Sequence, residues 1–126
     1  MSRDLGQRDY LVEKRTIGDT LFKDGTCQLI PDVIISKNGH TKLLVDAKYK
    51  IDAPVEPADY YQMQAYLTRY GVKDGLIVFP TERSTDKPLR SRELVGGGFV
   101  HELRLPLTEW QKAEAILAQS ALALIG

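Results

Sequence analysis

The plainest pattern in the chain is a pair of apolar, β-branched runs separated by a polar tetrapeptide. Residues 30–36 read IPDVIIS and residues 41–49 read TKLLVDAKY, with Lys37-Asn38-Gly39-His40 between them. Asn-Gly flanked by apolar runs is a strong short-range hairpin signal, so two antiparallel strands are predicted. Residues 54–71 (PVEPADYYQMQAYLTRYG) then carry a helical pattern, with Pro57 suited to the first turn and Gly71 to the C-terminal stop. Residues 75–79 (GLIVF) predict a short buried strand halted by Pro80. Residues 80–98 read as a long polar connection ending in Gly96-Gly97-Gly98. Residues 99–107 alternate like a half-buried strand. Residues 108–125 predict a last helix, opened by a capping box at Thr108 and Gln111, with Trp110, Ala113, Ile116, Leu117, Ala121 and Leu124 on its apolar face. Upstream, residues 9–15 form a strand or a short helix, residues 20–22 a short strand and residues 23–26 a turn. The order β-ββ-α-β-β-α predicts an α/β fold, a mixed sheet of an antiparallel hairpin plus a strand-helix-strand unit, flanked by helices.

Asp46 breaks the apolar pattern. Side chains alternate along a strand, so Leu43, Val45, Ala47 and Tyr49 share one face while Leu44, Asp46 and Lys48 share the other. Asp32, after Pro31, begins the partner strand. Two acids and a lysine on neighbouring strands are costly to bury without a partner or a metal. Two readings stay open here. One is a structural ion pair of Asp46 with Lys48. The other is a cation site, because hard carboxylate oxygens suit Mg²⁺ or Mn²⁺ and an adjacent lysine suits charge developing on a phosphate. The catalytic reading constrains the hairpin. A two-residue loop pairing Lys37 with His40 throughout would put Asp32 opposite Val45, on the wrong face. A three-residue loop pairing Ser36 with His40 is therefore expected, with Gly39 left-handed in a G1 bulge, or else a bulge elsewhere in the two strands.

Composition removes several other functions. The 126 residues suffice for one domain, here taken as 1–126 with its core at 28–80 and a C-terminal strand and helix at 99–125. Lys+Arg and Asp+Glu are 17 each, which excludes an overall basic nucleic-acid coat but leaves room for a local basic strip. Arg83, Lys87, Arg90 and Arg92, set against Glu82, Asp86 and Glu93, make such a strip and are candidate DNA contacts. A single cysteine, Cys27, excludes an internal disulfide and a zinc ribbon, and reads as a small buried hydrophobe. Two histidines, His40 and His101, exclude a histidine-rich metal cage, and His101 reads as a packing or solvent-facing residue. The triple glycine lacks the GK[ST] of a phosphate loop. No apolar run approaches bilayer length and no signal peptide opens the chain, so a cytoplasmic protein without membrane contact is expected.

Pro31-Asp32 followed by Asp46-Ala47-Lys48 resembles the PD-(D/E)xK nuclease superfamily in its D-x-K form. Gln62 and Tyr66 add a Q-x-x-x-Y element on one helix face, 14 residues after Lys48. The text PDVII…LLVDAKYK…DYYQMQAYLTRYG…GLIVFP is most similar to the C-terminal nuclease domain of McrC-type restriction subunits, over residues 28–80. The resemblance implies a restriction-endonuclease-like fold and Mg²⁺-dependent DNA endonuclease activity, with Mn²⁺ as a substitute. It implies Asp32, Asp46 and the Ala47 carbonyl as metal ligands, Lys48 at the attacking water, Gln62 beside the lysine or a DNA phosphate, and Tyr66 in the site or packing beneath it. Such nucleases usually draw a further glutamate from an upstream helix, and Glu13 is the one acid in a comparable place. DNA, a nucleotide-hydrolysing ring motor or other specificity partner, and a second copy of the chain are the partners implied. Another nuclease of the superfamily, such as a junction resolvase or repair exonuclease, is one alternative. A catalytically silent interaction module with the same fold is the other.

Overall fold

The computed structural model describes residues 10–14, 19–20, 22–48, 50–83, 89–106 and 110–125, and at 14, 19–20 and 110–114 the backbone alone. In chain order the elements are β1 (Tyr10–Lys14), β2 (Asp19–Thr20), β3 (Gln28–Leu29), β4 (Val33–Lys37), β5 (His40–Ala47), α1 (Pro57–Tyr70), β6 (Asp74–Thr81), β7 (Leu89–Glu93), β8 (Phe99–Pro106) and α2 (Trp110–Ile125). Six strands form one mixed sheet in the order β1-β4-β5-β6-β8-β7, and β2 pairs with β3 beside it. β5, β6 and β8 run parallel, while β1, β4 and β7 are antiparallel to their neighbours.

Each helix covers one face. Met63, Tyr66 and Leu67 of α1 pack with Ile34, Leu44, Ile77, Phe79 and Val100. Ala121 of α2 packs with Ile35, Leu43, Val45, Leu76, Val78 and Leu103, backed by Ile116, Leu117 and Leu124. The expected mixed sheet flanked by helices is what the chain forms, and the alternation of β5 holds, with Leu44 on the α1 side and Leu43 and Val45 on the α2 side.

Several boundaries differ, each for a physical reason. α1 starts at Pro57 rather than 54, because proline at the first helical position loses no needed hydrogen bond; Gly71 ends it in the left-handed region at φ 67. β6 runs through Pro80 to Thr81 instead of stopping, since Pro80 lies beyond the last β5 pair, where its missing N–H interrupts no ladder on that side. The expected polar connection contains β7, an edge strand whose Arg-Ser-Arg-Glu run is exposed on both faces and so gives no apolar alternation. β8 lies inside the sheet between β6 and β7, so Val100, His101, Glu102 and Leu103 are all buried rather than alternating. Of residues 9–15, the described ones, Tyr10–Lys14, form strand β1. The capping box at Thr108 falls outside the described residues. Cys27 is exposed at φ 62, just past the turn at Gly25, and so is not a buried hydrophobe.

The hairpin resolves the register question. Asn38 and Gly39 sit at φ 54 and 78, the signature of a two-residue type I′ turn, and Lys37 pairs with His40. The three-residue loop is therefore not formed. Instead the register shifts between Ile35 and Ser36: Ser36 pairs with Thr41 but Ile35 with Leu43, so Lys42 is an extra residue in β5. Past that bulge Val33 pairs with Val45, and one step further Asp32 comes beside Asp46.

Candidate active site

The site lies where β5 runs out of the sheet, on the face covered by α1. Asp46 is 8% exposed, and its Oδ2 lies 2.9 Å from Lys48 Nζ. The Asp32 carboxylate is anchored by the Ala47 N–H, which donates to its Oδ2 at 2.7 Å. One step past the Val33–Val45 pair, Asp32 stands beside Asp46 on the neighbouring strand. Burial pushes the Asp46 carboxyl up; Lys48 pulls it partly back and Asp32 pushes it up again, and the net direction is upward.

Lys48 is fully subscribed. Besides Asp46 it donates to Gln62 Oε1 at 2.8 Å and reaches Asp59 Oδ1 at 3.3 Å, one acceptor for each of its three N–H groups. Burial opposes the ammonium charge, but Asp46 and then Asp59 outweigh it, and the pKa is raised. Asp59 also caps α1, its Oδ2 accepting the Glu56 N–H at 3.0 Å. One helix turn therefore both starts α1 and holds the lysine.

Tyr66 lies below this cluster, 4% exposed, its hydroxyl 3.4 Å from the Ile30 carbonyl. Burial first, then Asp46 and Asp32, push its phenol up to about 12. It packs in the core and keeps its proton. Glu13 is opposite Ile34 on edge strand β1, on the α1 face. Among the described residues no group of three or more acids, histidines or cysteines gathers as a metal cluster, so Glu13 is not brought to Asp32 and Asp46.

The basic strip is split. Arg90 and Arg92 are on β7, opposite Glu102 and Val100, and so share the face of the site. Arg83 lies past the end of β6, where its N–H donates to Thr81 Oγ1 at 3.0 Å. Lys87 is outside the described residues. A single row of the sheet runs from Asp46 through Ile77 and Glu102 to Arg90. Glu102, 5% exposed, accepts a short hydrogen bond from the Tyr60 hydroxyl and faces Arg90 Nε at 3.9 Å; Arg92 NH1 reaches the same hydroxyl at 3.1 Å. His101 packs on the other face, its ring nitrogens bonded to Asp74 and Ser91.

The sequence reading missed Asp59, Tyr60, Glu102 and Arg104. Asp59 had a signal, since it precedes Gln62 by three and so shares its helix face. Arg104 is opposite Phe79, with its guanidinium 4.6 Å from the ring centre and NH1 bonded to the Ala53 carbonyl at 3.0 Å.

The chain matches the McrBC family, described as a 5-methylcytosine restriction system component, over residues 6–80. That is more than half of its length, and the chain belongs to this family. A search of the curated proteins finds no match. No helix among the described residues is long and apolar enough to cross a membrane.

The raised Asp46 pKa sets a testable sign. A carboxyl whose folded pKa lies above its unfolded one binds more protons in the folded state, so stability falls as pH rises from the ordinary aspartate value, about 3.9, through the folded value. Asp46→Asn removes that loss, and Lys48 keeps Asp59 and Gln62. Without metal the variant is expected to melt about 3–6 °C above wild type at pH 7, the difference closing by about pH 3. Melting curves across that range check it, and a variant less stable than wild type at pH 7 contradicts it.

Proposed function

We propose that this restriction-system component is a metal-dependent DNA endonuclease domain of the PD-(D/E)xK kind. The observation that supports it best is the Lys42 bulge, which turns a register that would separate Asp32 from Asp46 into one that joins them beside Lys48. Burial first, and then the neighbouring Asp32 carboxylate, raise the Asp46 carboxyl, an arrangement that a divalent cation would relieve. The donor set is hard oxygen, and it fits Mg²⁺ or Mn²⁺ held by Asp32, Asp46 and the Ala47 carbonyl. Bound there, the ion would polarise the scissile phosphate and its attacking water.

The chain's own residues do the rest. Lys48, held by Asp59 and Gln62, is aligned beside the carboxylates and can exchange its longest contact, to Asp59, for a phosphate oxygen. Its fixed positive charge then stabilises charge developing at phosphorus. Arg90, Arg92 and Arg83 are the proposed backbone contacts, and they position DNA without reading bases. Specificity falls to a partner, proposed as a nucleotide-hydrolysing motor or another specificity subunit; the restriction-system family supports there being such a partner.

The test is plasmid cleavage in Mg²⁺ or Mn²⁺, beside calorimetry of metal binding. Nicking or linearisation that requires the metal is expected. Metal binding that is absent in calorimetry would favour the silent interaction module instead. With few phosphate contacts, the log–log salt slope of DNA binding is expected at about −2 to −4. A slope near zero would remove the arginines from the interface.

A further inference from the structure

Beside Lys48 the surface sinks into a cavity of about 350 Å³, within the range of pockets that take small molecules. Its apolar part is Ala53, Pro54 and Phe79; Lys48 and Lys50 bring positive charge, and Glu56 with Asp59 supplies acceptors at the start of α1. The wall between β5 and α1 is built and held. Asp52 takes a left-handed φ of 54, unusual for a residue with a side chain. It is held there by three bonds: its N–H to the Pro80 carbonyl at 3.0 Å, Thr81 Oγ1 to its Oδ1 at 2.5 Å, and the Glu82 N–H to its Oδ2 at 3.3 Å. Arg104 fixes the next residue through the Ala53 carbonyl. The Thr81 hydroxyl, then the Glu82 N–H, hold the Asp52 carboxyl below its ordinary range, so these bonds persist at neutral pH.

We propose that this cavity receives one unstacked nucleotide next to the scissile phosphate, so that the site favours DNA with an unpaired base over fully paired duplex. The inference rests on the nuclease reading and adds the form of the substrate. Lys48 belongs to both places: it lines the cavity and lies 2.9 Å from Asp46, so a phosphate at the carboxylates has its neighbouring nucleoside at the cavity mouth. A ligand with an anionic backbone and a flat apolar body carrying polar edges matches lysines over an apolar floor rimmed by carboxylates. In a duplex every base is stacked and turned inward, and only a base already free of the stack enters a side pocket without a large unstacking cost.

The probe is 2-aminopurine, whose fluorescence reports stacking, placed at an unpaired position in one oligonucleotide duplex and at a paired position in another. Titrations without divalent metal measure binding apart from hydrolysis. Wild type is expected to bind the unpaired form about fivefold or more tightly, with a fluorescence change confined to it. Ala53→Met fills the cavity and is expected to erase that preference while leaving duplex affinity and melting temperature unchanged. Pro54→Met, at an exposed position, is the second variant should the first fail to fold. Equal affinity for the two duplexes, or a preference that survives in a folded filled variant, overturns the proposal. The two readings fail separately. Metal-dependent cleavage with no preference for the unpaired form sinks the pocket alone. A preference abolished by filling, in a protein that cleaves nothing, sinks the nuclease reading and leaves the pocket as a binding site.

Discussion

Asp46→Ala and Lys48→Ala are each expected to lower metal-dependent cleavage by at least about a thousandfold and a hundredfold respectively, with the fold retained. The two losses differ in kind. Asp46→Ala removes a proposed metal ligand, so metal binding in calorimetry should fall with it. Lys48→Ala leaves both carboxylates and should bind metal at least as well as wild type, because it removes a cation whose ammonium lies 2.9 Å from Asp46. Gln62→Ala takes only one of three acceptors from the lysine, so a loss of about tenfold or less is expected. Asp59→Asn keeps the size of the side chain but removes a negative charge, freeing Lys48 toward a phosphate while weakening the helix cap. Wild-type cleavage by Lys48→Ala would return the lysine to a structural ion pair. Unfolding of both alanine variants under conditions where wild type is folded would do the same.

How far this site could be read from the sequence depended on which contacts are local. Asn38-Gly39 named its own turn, and the period-two pattern of β5 put Leu44, Asp46 and Lys48 on one face, as they are. Whether Asp32 shared that face turned on a single extra residue. Lys42 is exposed and chemically ordinary, and nothing in Thr41-Lys42-Leu43 marks a bulge. One expectation put the irregularity at the turn and its alternative put it elsewhere in the two strands; the backbone takes the second course, three residues past Gly39, and keeps the preferred type I′ geometry. β7 was illegible for a different reason: an edge strand with exposed arginines buries too little to print a hydrophobic period. The Asp59 contact depends on where the first turn of α1 lands against β5, which is a matter of packing and not of spacing. The alternation expected of β8 assumed one solvated face, and its place inside a sheet covered on both faces removed that face.

That landing of α1 rests on one glycine, and replacing it is expected to be the most destabilising change away from the site. Gly75 sits in β6 between Leu44 of β5 and Val100 of β8, on the face α1 covers. A Cβ built there would come 2.4 Å from Met63 Sδ, 2.8 Å from Met63 Cγ and 3.2 Å from Leu67 Cδ2. Met63 and Leu67 are 1% and 5% exposed, so neither has solvent to retreat into. Gly75→Ala asks only the flexible methionine to move, whereas Gly75→Val adds two branches into a closed space and forces the helix off the sheet. Gly75→Val is expected to cost about 2–3 kcal/mol, or roughly 8–12 °C in melting temperature. Because Asp59 and Gln62 ride on the same helix, the displacement should also loosen Lys48, so remaining folded protein should lose cleavage rate while the proposed metal affinity, which rests on Asp32, Asp46 and Ala47, stays near wild type. Met63→Ala opens the space, and the double variant with Gly75→Ala should show a favourable coupling of about 1 kcal/mol. A Gly75→Val protein that melts with wild type would show that α1 does not depend on this close approach, and the link from helix packing to the lysine would have to be sought elsewhere along α1.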